Sequence, residues 1–416
     1  VSAADVFTRL SPAAANRTPG ALRAESRGTM LQLDARAIAA FRAAGGGALR
    51  VPVEDGELRL TLTPFDVLGG GRITVTDERG THAVDPGATL FRGSVEGDPG
   101  SWVVLAMSPN GVMGRIETTG RRRLLGAAGA PRSGGIPLHA LADESNTAPG
   151  NWSCGVEGEA VERALRESIG PGSPLRADPG QIDLSTDRLH FKVAIDCDYE
   201  LLANKFAGNL TDATSYLLTV LGTVSLIFQK EIHCTLTYPY LNFWTIPADP
   251  YTALNTGTQL PEFRDYWNVN RTGVDRALAH LMSGRNLGGG IAYLSGLCAS
   301  NGYAVSAITG TDPLPANNST FDVYLIAHEL GHNFGSPHTQ SCYWQANGYA
   351  PAATTLDTCQ ASEGGCRGGT NHLPPDKGTI MSSCLLISNV ASGIRLDFHP
   401  ACISRMRAFL GSSGCY

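Results

Sequence analysis

The chain has 416 residues, 42% of them hydrophobic and 17% charged, with a net charge of −6. These values describe a folded globular protein long enough for two cores, and they speak against nucleic acid or an anionic membrane as partner, because neither attracts a net acidic surface. Apolar runs fall short of the ~20 residues that span a bilayer, and ten cysteines, all but Cys154 at or beyond Cys197, point to an oxidising compartment. Val1 opens directly onto VSAADVF, so a leader peptide is expected to have been removed or omitted and the protein to be secreted.

Residues 1 to about 48 mix alanine, arginine and glycine. The stretch 30–34 alternates like a strand, and a helix-like patch then runs to the break at Gly45-Gly46-Gly47. From Ala48 to about Leu125 alternation takes over, at 58–62, 72–76, 102–106 and 112–116, with Gly, Pro, Asp and Asn between the runs. Short alternating runs between turn residues form antiparallel hairpins, so 1–150 is expected to be a β-rich domain, a sandwich or barrel-like module. From Gly126 to about Pro179 the composition is that of a linker, with one short helical piece near 157–168; the linker itself is placed at 151–186. Within it lies Asn151-Trp152-Ser153-Cys154-Gly155-Val156, which carries the one cysteine that precedes residue 187.

A second domain, 187–416, opens with an alternating strand at 189–196. Leu217, Leu218, Leu221, Val224, Leu226 and Phe228 recur near the helical period and predict a helix over 211–231. A strand over 234–244, a helix around 260–267 and strands at 277–282 and 303–308 follow, with GGGIAYL at 288–294 reading as an edge strand. Alternating strands and helices predict a mixed, twisted sheet, which makes the whole chain α+β to α/β in class. Ser319 and Thr320 are helix N-cap candidates, Asp322 falls where a capping-box acid sits, and the helix should end near Asn333. Gly, Pro and Cys then dominate to Cys384, a loop-rich lower lobe stapled by disulfides, before a closing helix at 403–410.

The predicted helix before that lobe contains H-E-x-x-H-x-x-G-x-x-H at His328, Glu329, His332, Gly335 and His338. Residues four apart on a helix lie one above the other, so His328 and His332 aim at one point. Glu329 adjoins the first of them and can reach a water held there. Gly335 can take the left-handed conformation that ends a helix, and the reversed chain then delivers His338. Three histidines with an open fourth position suit a catalytic zinc, whereas a structural site is closed by protein. H-E-x-x-H alone recurs by chance; the extended pattern fixes two further positions. Ordinary core packing is the competing reading for these histidines and for Met381. Nucleotide and serine-hydrolase motifs are absent from the sequence.

The stretch HELGHNFGSPH resembles the metzincin zinc peptidases, most of all their reprolysin (adamalysin, ADAM-like) branch, and Gly378-Thr-Ile-Met381-Ser-Ser-Cys384 resembles the methionine turn that metzincins carry beneath the metal. The resemblance implies one catalytic Zn²⁺ on His328, His332 and His338, Glu329 as general acid and base, and Gly335 and Met381 as supports of the site. It also implies cleavage of protein or peptide substrates by a secreted monomer, with calcium as a candidate second ion. Residues 90–116 resemble reprolysin propeptides, which implies a zymogen inhibited by its own N-terminal region. Cys154-Gly155-Val156 resembles the propeptide cysteine that caps zinc in the latent enzyme, although Asn151-Trp152-Ser153 departs from the usual pattern; a disulfide to the catalytic domain is the alternative. Thr339 stands where animal adamalysins have aspartate.

By the same resemblance Cys298 pairs with a cysteine near the C-terminus, Cys342 with Cys384, and Cys359 with Cys366. Cys197 and Cys234, on adjacent elements, are expected to pair, leaving Cys402 or Cys415 over. Gly290, Ile291 and Ala292 on the edge strand are candidates to pair with an extended substrate, and Leu385 and Leu386 near Met381 to line a side-chain pocket. A purely structural role competes with each. Two other functions share the ligands: a catalytically silent, zinc-stabilised binding protein and a zinc hydrolase of non-peptide substrates.

Overall fold

The computed structural model describes residues 3–11, 28–128, 135–144, 189–310, 319–367, 372–374, 377–388 and 395–413. In chain order the N-terminal half supplies β1 (Phe7–Arg9), β2 (Gly28–Leu33), α1 (Ala35–Ala43), β3 (Gly47–Val53), β4 (Gly56–Pro64), β5 (Arg72–Asp77), β6 (Gly80–Ala83), β7 (Thr89–Val95), β8 (Asp98–Ser108), β9 (Gly111–Thr118), β10 (Arg121–Ala127) and β11 (His139–Asp143). The rest supplies β12 (Leu189–Cys197), α2 (Leu210–Ile232), β13 (Cys234–Thr237), β14 (Tyr240–Trp244), α3 (Thr256–Asn270), β15 (Leu278–Ser283), β16 (Gly290–Ala292), β17 (Tyr303–Ala307), α4 (Ser319–Asn333), α5 (Tyr343–Ala346), α6 (Leu385–Ser388) and α7 (Pro400–Ser413).

Among the described residues the strands make two sheets. The first runs β1-β2-β11-β10-β9-β8-β7-β4-β3 with antiparallel neighbours throughout. Two-residue loops at 54–55, 109–110 and 119–120 join paired strands and so fix their register. The sheet's ends meet, because the Ala4 amide donates to Ala48 O (2.9 Å) and the Arg50 amide to Ala4 O (3.2 Å). The strands therefore close into a barrel, plugged by Ile38 and Phe41 of α1, with Phe41 packed on Phe91 at 5.4 Å. Strand β11 lies in the Gly- and Pro-rich stretch after Gly126, within the 1–150 region expected to be β-rich, and pairs with β10 and β2.

The second sheet runs β16-β17-β15-β12-β14-β5-β6, with β13 also on β12. Strand β12 is parallel to β13, β14 and β15, as expected where helices cover the sheet. The single strand expected over 234–244 is two strands separated at Pro239, which has no amide to give a ladder. The hairpin β5–β6, from the N-terminal half, extends this sheet rather than the first, with β5 parallel to β14. Thr74 and Thr76 on β5 donate to the Asn242 side chain (2.9 and 3.0 Å), and Asn242 donates to the fully buried Asp196 (2.9 Å).

The two halves share a core. Strand β8 is buried on both faces: Val103, Leu105 and Met107 fill the barrel, while the alternate residues Val104 and Ala106 join a cluster with α2. A side chain at Gly222 of α2 would lie 2.7 Å from Leu90 and 3.5 Å from Val104, so glycine permits the close approach of helix and barrel. Helix α2 is long and apolar enough to cross a bilayer by length and composition, yet its apolar window is 78% buried within the protein. At the start of α4, Arg115 donates to the Thr320 hydroxyl (2.7 Å) and to Glu144 (2.5 Å), Thr320 donates to Glu144, and Arg122 pairs with Glu144 at 2.7 Å. Burial alone would raise the Glu144 carboxyl, but the two guanidinium groups hold it below its usual range.

Candidate metal centre

Helix α4 is buried along its whole length, and its sequence sets both of its ends. Asp322 does not close a capping box. It accepts from Thr309 N (2.9 Å), Gly310 N (2.9 Å) and Tyr216 Oη (2.6 Å), so it fixes the chain preceding the helix. At the other end Gly335 has φ +88°; its amide donates to His332 O (2.8 Å) and that of Ser336 to Gly331 O (3.0 Å). This is the paired bonding of a Schellman stop, and it turns the chain so that His338 returns to the helix. Met381 lies directly beneath: a Cβ on Gly331 would stand 2.5 Å from its sulfur.

The three histidines converge. His328, His332 and His338 are 3%, 2% and 1% exposed, and their Nε2 atoms lie 3.0–3.1 Å apart. Each Nδ1 faces an oxygen: Ile380 O at 2.6 Å, Ser336 O at 2.8 Å and the Glu363 carboxylate at 2.6 Å. Carbonyls and carboxylates only accept, so Nδ1 carries the proton and Nε2 presents a lone pair. Burial, and then the neighbouring His338 ring, lower His328 to about 3 and hold His332 well below the usual value. Three neutral rings pointing lone pairs at one another repel unless a cation lies between them. The spacing is close to the ~3.3 Å between donors of a tetrahedral zinc with bonds of about 2.0–2.1 Å. The residues fit the metal.

Glu329 follows His328, is 1% exposed, and has no partner among the described residues for either carboxylate oxygen. Burial pushes its carboxyl well above the usual range. Orphaned buried acceptors are costly, and here they lie where a water and its proton belong. Strand β16 forms the edge of the second sheet and passes over this group: a Cβ on Gly290 would stand 2.4 Å from Glu329 Oε1. Gly290→Ala should therefore turn the carboxylate aside and lower kcat/KM about 100-fold while zinc content stays unchanged. Peptide kinetics beside metal analysis check this, and wild-type activity in the variant would contradict it.

Ile291 and Ala292 continue the edge strand beside Gly290. Leu385 and Leu386 border a small recess with Tyr324, Leu325, His328, Glu329 and Ser383. Cys154 lies outside the described residues. The disulfides correct two expected pairings: Cys342 joins Cys366, and Cys359 joins Cys384. Cys197 and Cys234 do not pair; both are free and buried, as is Cys402. The backbone explains the exchange, since Cys342 N donates to Glu363 O (2.8 Å) and thereby sets Cys342 against the chain that ends at Cys366. Cys298 is disulfide-bonded.

Two carboxylates at the site escaped the sequence reading. Glu363 holds His338, and Asp357 accepts from the Thr339 hydroxyl, bringing a carboxylate to Thr339 from a distant loop. Only Asp357, Glu363 and Asp376 lie between His338 and Met381, so the need to partner the third histidine would have narrowed the search to three acids. Residues 187–390 match the family model described as Reprolysin_5, metallo-peptidase family M12.

Proposed function

Residues 187–390 belong to the reprolysin-type zinc metallopeptidases, and from that premise we propose that the chain is a secreted endopeptidase made in latent form. The observation that carries the reading is the set of three Nε2 lone pairs facing one another beside the unpartnered Glu329 carboxylate. When bound there, zinc supplies a Lewis acid that polarises the scissile carbonyl and acidifies water. Glu329 takes the proton of the attacking water and passes it to the departing amine. An extended substrate adds to the edge at Gly290, Ile291 and Ala292 by backbone hydrogen bonds, and the recess at Leu385 receives one side chain.

Latency is supported by burial, since all four motif side chains are at most 3% exposed. In this reading 1–150 is the propeptide and 151–186 the linker whose Cys154 caps the metal, leaving 187–416 as the peptidase domain. The disulfides support an oxidising, extracellular setting. The test is cleavage of an unstructured protein such as casein by the activated chain. A chelator should abolish it and added zinc restore it; cleavage that continues at full rate after zinc has been stripped overturns the reading.

A further inference from the structure

His328 and His332 are presented by a rigid helix, and their Nδ1 atoms donate to backbone carbonyls. His338 has neither advantage: it follows the helix stop, on a segment with no repeating hydrogen bonds to orient its ring. Its Nδ1 instead meets Glu363 Oε1 at 2.6 Å, with the two side chains 2% and 11% exposed. Of the three ring partners this is the one that carries charge.

Glu363 is itself held from three sides. Its amide donates to Gln340 O (3.1 Å), its carbonyl accepts from Cys342 N (2.8 Å), and Gln340 Nε2 donates to the same Oε1 that meets His338 (3.1 Å). Gln340 is in turn tied to Ser383 Oγ (3.0 Å), close to the methionine turn. The Cys342–Cys366 bridge then closes the loop around Glu363 covalently.

We propose that Glu363 is the positioning residue of the third ligand, and that the Cys342–Cys366 loop exists to hold its carboxylate against His338. An ionised acceptor on Nδ1 fixes the tautomer, stops the ring from rotating and raises the basicity of Nε2, and each effect strengthens the bond from His338 to a metal. The inference rests on the zinc reading of the site and adds to it a residue 25 positions beyond the motif.

The experiment is competition for zinc between a chelator and three proteins, wild type, Glu363→Gln and Glu363→Ala, together with the melting temperature of each without metal. Glu363→Ala should weaken zinc binding about 10–100-fold, and Glu363→Gln, whose amide oxygen still accepts from Nδ1, by a smaller factor. The metal-free melting temperatures should coincide, because the residue acts on the ligand and not on the fold. Equal zinc affinity in wild type and Glu363→Ala overturns the proposal, as does an affinity loss that follows a fall in metal-free stability. Should Glu363→Ala not fold, Glu363→Gln decides alone, and wild-type affinity in it counts against the proposal. A wild-type chain that takes up no zinc removes the reading beneath the inference, and the inference with it.

Discussion

Replacing Glu329 by alanine should leave zinc bound and reduce peptide cleavage by about 10²–10⁴-fold, the usual worth of a general acid–base group. The expectation follows from how the side chain is used. Both of its oxygens are buried and make no bond to the described residues, so that part of the fold gains nothing from them. The three ring Nδ1–H groups donate to Ile380 O, Ser336 O and the Glu363 carboxylate, so none depends on Glu329 for orientation. Loss of the carboxylate should even stabilise the folded chain, because it removes an uncompensated buried acid. Kinetics on activated protein, with metal content and melting temperature measured on the same sample, separate these effects. Turnover within tenfold of wild type would remove Glu329 from the chemistry.

The second large effect concerns how the halves hold together. A protease site placed between Glu144 and Leu189, once cut, should release nothing: the two pieces should co-elute and melt together. Ile73, Val75, Leu90, Val104 and Met113 of the N-terminal half are buried in the cluster that also contains α2. At ~1.5–3 kcal/mol for each side chain removed from water, their separation costs about 10 kcal/mol, comparable to the whole stability of a typical domain. It would also bare the edge of β14 and leave Thr320 without Arg115 and Glu144 at the head of the active-site helix. Activation by cleavage alone then demands a further step, such as digestion of the N-terminal piece, before the second sheet loses its outer hairpin. Separate elution of two folded pieces after the cut would contradict this.

What the sequence made legible was local. His328, His332 and Gly335 follow helical spacing and a helix stop, and both are decided within a few residues; the geometry at α4 is the one expected. Alternation marked most strands, because half-buried strands expose every second residue. It could not say that 102–106 is buried on both faces, nor that 72–76 pairs with a strand more than 160 residues away, since pairing across that distance leaves no periodic trace. The cysteine pairs were missed for a related reason. Several cysteines within one irregular loop give similar spacings for several connectivities, and the deciding contact was a backbone bond at Glu363. Asp322 looked like a capping acid by position, but a fully buried carboxylate goes where donors converge, and Tyr216, Thr309 and Gly310 provide them.

The most direct measurement is the zinc content of the intact, purified chain, by elemental analysis after equilibration with zinc and removal of the excess. Three buried imidazole lone pairs converging on one point predict one zinc per chain, lost when His332 is replaced by alanine. A folded chain that binds no zinc under those conditions, or one that keeps it without His332, would contradict the account.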